Sequence, residues 1–112
     1  MKELIQGSDF EKIDIRVGTI VNVLEFPEAK TPAYKLEIDF GSEIGIKRTS
    51  AQITALYKES DLKGMQVIAV INFPKKQIAN FMSECLILGA VKGKEVTLLQ
   101  PNLPVTNGLK IA

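Results

Sequence analysis

The chain has 112 residues, 46% of them hydrophobic and 24% charged, with a formal net charge of +1. That length carries one domain with its own core and needs no metal or disulfide staple, and the balance lacks the basic excess of a dedicated duplex binder. There is no histidine and a single cysteine, which removes Ser-His and Cys-His nucleophilic pairs, imidazole acid–base chemistry, most zinc sites and any internal disulfide.

No spacing of carboxylates forces two of them onto one face, and no phosphate-binding loop is present. No catalytic residue, metal or cofactor is therefore expected, and the chain does not read as an enzyme. The first thirty residues lack a charged segment followed by an apolar one. No apolar run approaches the roughly 20 residues of a membrane span. A cytoplasmic location without membrane insertion is expected.

Residues 1–12 are a lead-in in which Ser8 or Asp9 can cap one helical turn through Glu11 and Lys12, its oxygen accepting from free N–H groups. From Ile13 the odd positions Ile13, Ile15, Val17, Thr19, Val21 and Val23 form a period-two strand. Gly18 interrupts it and predicts a sharp bend, as where a small barrel turns a corner. Phe26–Pro32 holds two prolines, which cannot both donate to a ladder, and reads as a loop.

Tyr34, Leu36, Ile38 and Phe40 then share one face opposite Lys35, Glu37 and Asp39, a half-buried strand. Ile44–Ser50 returns as a third. Ser50 can cap a helix in which Ile53, Leu56 and Tyr57 line one face and which Gly64 stops. Met65–Phe73 is almost continuously apolar, a strand covered on both sides. A basic, Pro-led turn follows, then a strand toward Ala90, then Glu95–Leu99. The Asn107-Gly108 pair in the tail signals a type I′ turn.

Five strands with a helix between the third and fourth predict an all-β domain with one short helix, a five-stranded OB-fold barrel with N- and C-terminal extensions. Such barrels bind ligands across strands two and three, between the loops joining strands one to two and four to five. Here those loops are Phe26–Pro32 and Phe73–Asn80.

The candidate groove residues are Phe26, Arg48, Pro74, Lys75, Lys76, Phe81, Ser83 and Leu86. The two lysines read either as a solvated turn or as contacts for phosphate or for an acidic or carbonyl-rich peptide. Arg48 reads as a bidentate fork or as the partner of Glu84. Phe26, Phe73 and Phe81 read as barrel plugs or as flat binding surface, with Phe81 expected to be the most exposed. Ser83 reads as a ligand hydroxyl or one bonded to the backbone. Cys85 reads as a small buried hydrophobe.

The motifs Asp14-Ile15-Arg16-Val17-Gly18-Thr19-Ile20, Pro27-Glu28-Ala29, Ile38-Asp39-Phe40-Gly41, Val67–Asn72 and Ser83–Ala90 resemble the tRNA-binding-domain family of OB-folds. That family includes the C-terminal domains of bacterial methionyl-tRNA synthetases. Glu43–Thr54, Asn72–Ala79 and the tail from Leu99 to Ile111 are similar to its secretion-associated chaperone branch. That resemblance implies a homodimer that binds unfolded or precursor polypeptides, residues 1–12 and 99–112 supplying subunit contacts outside the barrel. It leaves tRNA as the alternative partner of the same groove. The tRNA-binding members carry His-Pro where this chain has Phe26-Pro27, and Ser-x-Gly-Met where it has Ser83-Glu84-Cys85-Leu86.

Overall fold

A computed structural model describes all 112 residues. Helix α1 (Gly7–Glu11) precedes strands β1 (Ile15–Glu25), β2 (Tyr34–Asp39) and β3 (Ile46–Ala51). Helix α2 (Glu59–Leu62) leads into β4 (Gln66–Val70), followed by β5 (Lys76–Ile78), β6 (Phe81–Ser83), β7 (Leu86–Ile87), β8 (Gly89–Lys92) and β9 (Glu95–Leu98). The main sheet runs β3-β2-β1-β4-β7, antiparallel throughout, and curls into a nearly closed barrel. Two ribbons, β5–β6 and β8–β9, stand on its rim. This is the OB-fold expected from the order of elements.

Strand β1 serves two neighbours in succession, pairing with β4 over Ile15–Thr19 and with β2 over Thr19–Glu25. Gly18 allows the turn between them. A Cβ there would stand 2.6 Å from Ile38 Cγ2 and 2.8 Å from the Phe40 ring, so the strands approach only because no side chain intervenes. A bulge between Ile20 and Asn22 then shifts the register. Before the bulge even-numbered Ile20 faces the main core, while Ile15 and Val17 belong to a separate cluster; after it odd-numbered Val23 enters the main core and Val21 is left exposed. One extra residue reverses the parity that points inward.

The main core gathers Leu36, Ile38, Phe40, Leu62, Val67 and Ala69 around those two. The helix expected between Ser50 and Gly64 is shorter than its pattern. Ser50 stays in β3, residues 54–56 form a turn, and only Glu59–Leu62 is helical. Tertiary hydrogen bonds win here. The Tyr34 hydroxyl donates to the Tyr57 carbonyl at 2.8 Å, and the Tyr57 hydroxyl accepts the Leu98 N–H at 3.0 Å. A first helical turn fixes three residues for one bond, too little to compete. In α1 the N-cap is Gln6 rather than Ser8 or Asp9, and Asp9 accepts the Gln6 N–H at 2.8 Å from inside the turn.

Strand β4 stops at Val70, short of the expected Phe73. Ile71 donates to the Asp14 carbonyl, and the Asn72 amide bridges Lys12 and Asp14, tying the lead-in to the barrel. The tail also differs from its sequence signal. Gly108 has φ +93°, but Asn107 is not in the left-handed region, whereas a type I′ turn needs both. Instead of joining two tail strands, the turn lays the chain along the first half of β1. Gly108 N–H reaches the Val17 carbonyl at 2.7 Å, Val17 N–H the Leu109 carbonyl at 3.0 Å, and Ile111 N–H the Ile15 carbonyl at 2.9 Å. Gln66 clamps Val105 with both ends of its amide, at 2.7 and 3.1 Å. Val105 and Ile111 then cover a second apolar cluster of Ile15, Val17, Ile68 and Val70. No helix is long and apolar enough to cross a membrane.

Candidate functional site

The edge strands β3 and β7 are not joined by a continuous ladder. Where β3 passes Ser83–Cys85, mixed backbone and side-chain bonds close the gap. Glu84 Oε1 accepts the Arg48 N–H at 2.8 Å, and the Arg48 carbonyl accepts the Glu84 N–H at 2.8 Å. Thr49 is 1% exposed and its hydroxyl donates to the Cys85 carbonyl at 2.7 Å. That uses its one proton, so the Ser83 hydroxyl, 3.0 Å away, donates to Thr49 Oγ1 and accepts the Ser50 N–H at 3.3 Å. The Ser83 hydroxyl is thus bonded to Thr49 and Ser50 across the seam.

Alongside this seam lies a cleft of about 930 Å³. Ser50, Ala51, Gln52 and Ile53 form one side, and Leu86, Ile87, Leu88 and Gly89 the other. Cys85, Val96 and Leu98 also line it. Gly89 lets the Val96 side chain of β9 pack over β8, since a Cβ there would lie 2.6 Å from Val96 Cγ1. The rim comes from the first loop, through Glu28–Thr31 and Ala33, and from Phe73, Pro74, Lys76, Ile78 and Ala79. The two loops are tied together by the Asn80 amide, which donates to Glu28 at 3.2 Å. A backbone hydrogen bond, then that amide, hold the Glu28 carboxyl below its usual range.

The structure brings four of the eight candidate residues to this cleft: Pro74, Lys76, Ser83 and Leu86. Leu86 is the most apolar of them and is 49% exposed. Lys75 turns aside, its ammonium 3.5 Å from Glu84 Oε2. Arg48 pairs with Glu84 only through its main chain. Its guanidinium lies on the Phe81 ring instead, 4.5 Å from the centroid. Arg48 and Phe81 line a separate pocket of about 240 Å³ on the outer face of β1–β3, with Asn22, Leu24, Lys35, Leu36 and Glu37.

The aromatic expectations need correction. Phe81, expected to be the most exposed, is 3% exposed, whereas Phe73 on the cleft rim is 54% exposed. The supposed turn at Lys75-Lys76 continues into the β5–β6 hairpin, which pairs Phe81 with Ile78 and packs both onto Phe26 and Ala33. Phe26, buried too, meets Phe81 edge-on with centroids 5.5 Å apart. Both act as a barrel plug. Sequence reading missed Lys35, Ile53, Ile87, Val91 and Val96 as lining residues. Only the fold brings them beside the loops, because each belongs to an ordinary strand or core pattern.

Cys85 is a buried wall residue. Burial above all pushes its thiol up to about 12, against a smaller opposing hydrogen bond with Thr49. The folded state therefore keeps a proton that the unfolded chain gives up from about pH 9. Between about pH 9 and pH 12 the native state holds more protons, so this group's contribution to stability falls as pH rises. Urea titrations from pH 8 to 11 are expected to show a steeper decline for the native sequence than for Cys85→Ala. At pH 8 the folded protein is expected to resist thiol reagents that label the unfolded chain at once.

With this geometry in view, the chain belongs to the putative tRNA binding domain family, whose model matches residues 15–110. Among solved structures it is similar to the chaperone CsaA of Bacillus anthracis, at 50% identity and a TM-score of 0.94 over 98% of this chain and 100% of that one. The CsaA chaperone protein of Picrophilus torridus is 56% identical, with a TM-score of 0.92 over 97% and 100%. A MetRS related protein from Pyrococcus horikoshii, 22% identical with a TM-score of 0.87, shares the fold. Curated relatives include the methionine–tRNA ligase of Nanoarchaeum equitans, 34% identical over 108 residues. The match spans 96% of this chain but 14% of that enzyme. What the family model and the CsaA structures share with this chain is a binding domain of the chaperone or tRNA-binding kind.

Proposed function

We propose that this chain is an ATP-independent chaperone that holds unfolded or export-bound polypeptides in the seam cleft. The observation that carries this reading is the cleft itself: about 930 Å³, bordered by two strand edges and lined mainly by apolar side chains. Near-full-length similarity to two CsaA chaperones supports it. Residues 1–112 act as one domain in the cytoplasm. Residues 1–12 and 99–112 join two copies, since Leu4 and Ile5 in the first segment and Leu103 and Leu109 in the second stay between 50% and 94% exposed in their own chain. A two-fold dimer presents two clefts, so two weak contacts on one client reinforce each other.

Purified protein is expected to suppress aggregation of a denatured client without nucleotide and to sediment as a dimer at micromolar concentration. Leu86→Asp places a charge on the exposed cleft wall and is expected to weaken client binding about tenfold or more, by losing a buried leucine contact. Absence of binding to any unfolded client or peptide would overturn the proposal.

A second reading, tRNA binding, is favoured by the family itself and by Lys76 on the cleft rim. It predicts affinity that falls steeply with salt as counterions are released, and that weakens in Lys75→Glu or Lys76→Glu. If tRNA gives no shift even at low salt, this second reading is discarded.

A further inference from the structure

We infer that the small outer pocket is a carboxylate subsite, which holds an acidic residue of the same polypeptide whose apolar part lies in the cleft. The inference rests on the polypeptide-holding role proposed above and adds a chemical preference to it. Lys35 lies over both plug rings, 5.1 Å from the Phe26 centroid and 5.8 Å from that of Phe81. Arg48 lies 4.5 Å from the Phe81 centroid. Two cations thus share one buried ring, and neither has a carboxylate within ion-pair distance, the two ion pairs being Arg16–Asp14 and Lys75–Glu84.

The surrounding acids hold other donors: Glu84 takes the Arg48 main-chain N–H on one oxygen and lies 3.5 Å from the Lys75 ammonium on the other, and Lys35 is only the smallest influence on Glu28. Glu37, in the pocket wall, accepts the Asn22 amide at 3.0 Å, and Glu28 accepts that of Asn80 at 3.2 Å. Ring quadrupoles hold the cations in place without neutralising them. A fork and an ammonium lining the same pocket suit a planar carboxylate, which the fork can take through two parallel hydrogen bonds.

Two observations favour a peptide over an RNA strand. Single-stranded RNA is bound through exposed aromatic faces on which bases stack. Phe26 and Phe81 are buried, and what remains of their faces carries Lys35 and Arg48. The pocket also lies one side-chain layer from the cleft. Ala33 and Ile78, on the cleft side, pack against Phe81, which lines the pocket.

The test uses the intact protein, two labelled peptides alike except that one carries glutamates in place of glutamines, and a single-stranded RNA oligonucleotide. Lys35→Met together with Arg48→Met removes both charges and keeps apolar cover on the rings, and a thermal melt checks the fold. Lys35→Gln alone provides a second, milder variant. The acidic peptide is expected to bind about tenfold tighter than the neutral one at low salt. The double variant should lose that advantage while binding the neutral peptide unchanged, and Lys35→Gln should lose part of it. If neither peptide binds the native protein, the polypeptide-holding role itself falls. If the neutral peptide binds and the glutamates add nothing, only the subsite falls. Loss of RNA binding in the double variant, with the acidic peptide unaffected, would reassign the pocket to phosphate and overturn the inference.

Discussion

Replacing Gly108 with alanine is expected to lower the stability of the domain by about 2–5 kcal/mol, from a left-handed backbone that costs an L-residue about 1–2 kcal/mol and an overpacked contact of about 1–3 kcal/mol. Its φ is +93°, and a Cβ would stand 2.5 Å from the Phe40 carbonyl oxygen, a backbone atom that cannot swing aside. Gly45 supplies the control: its φ is +84°, but nothing lies within 4 Å of a Cβ placed there. Gly45→Ala should therefore lose only the conformational part. Urea midpoints measured at constant m-value would compare them. Equal losses in both variants would show that close packing of the tail on Phe40 contributes nothing. The same substitution should also speed exchange of the Val17, Gly108 and Ile111 amides, which the tail protects by its three backbone bonds.

The second large effect lies at the seam. Thr49→Val keeps the shape of a buried side chain but removes the hydroxyl that serves the Cys85 carbonyl and the Ser83 hydroxyl together. A buried group left without its partner costs about 1–3 kcal/mol; here the Cys85 carbonyl loses its 2.7 Å donor, and the Ser83 hydroxyl, which keeps the Ser50 N–H, has only a longer 3.5 Å bond to offer in its place. A loss of about 1–3 kcal/mol is expected on that basis, with Thr49→Ser retaining most of the stability. A double-mutant cycle with Ser83→Ala should give a coupling of about 1 kcal/mol, because the hydroxyls share one proton path. Strict additivity would mean that the two act independently. A valine that matched the native protein would remove the seam bonds from any account of stability.

Much of the barrel was legible in the sequence because its strands carry their own signals. The alternation of Leu36, Ile38 and Phe40 predicts β2, and all three are buried. The glycine at position 18 marks the corner. Where reading by pattern fails, a non-local contact decides. The Ile53–Tyr57 spacing suits a helix, but Tyr57 is fixed between β2 and β9 by two hydrogen bonds that sequence spacing cannot reveal. The inward turn of Phe81 follows from pairing with Ile78 in a hairpin whose turn residue Ala79 has φ +50°, an unusual choice for a non-glycine. The site divides along the same line. The loops that border it follow from the strand order, so Pro74 falls on the rim as a loop residue and Lys76 beside it as the first residue of β5. The cleft itself arises where β3 and β7 fail to form a ladder, and no single segment encodes that failure.

The seam has a further consequence for how this domain can change. Ser83, Glu84, Cys85 and Leu86 are four consecutive residues: the first three fasten the barrel to β3, and the first, third and fourth line the cleft. Rigidity and ligand preference are therefore written in the same four letters. A substitution that widens the cleft at Cys85 or Ser83 also loosens the closure of the barrel, whereas one at Leu86 reshapes the cleft alone. The variants open to natural drift in ligand are thus few. They concentrate at Leu86 and, across the gap, at the exposed Gln52, since its neighbours Ala51 and Ile53 are tied into the β2–β3 ladder and the main core.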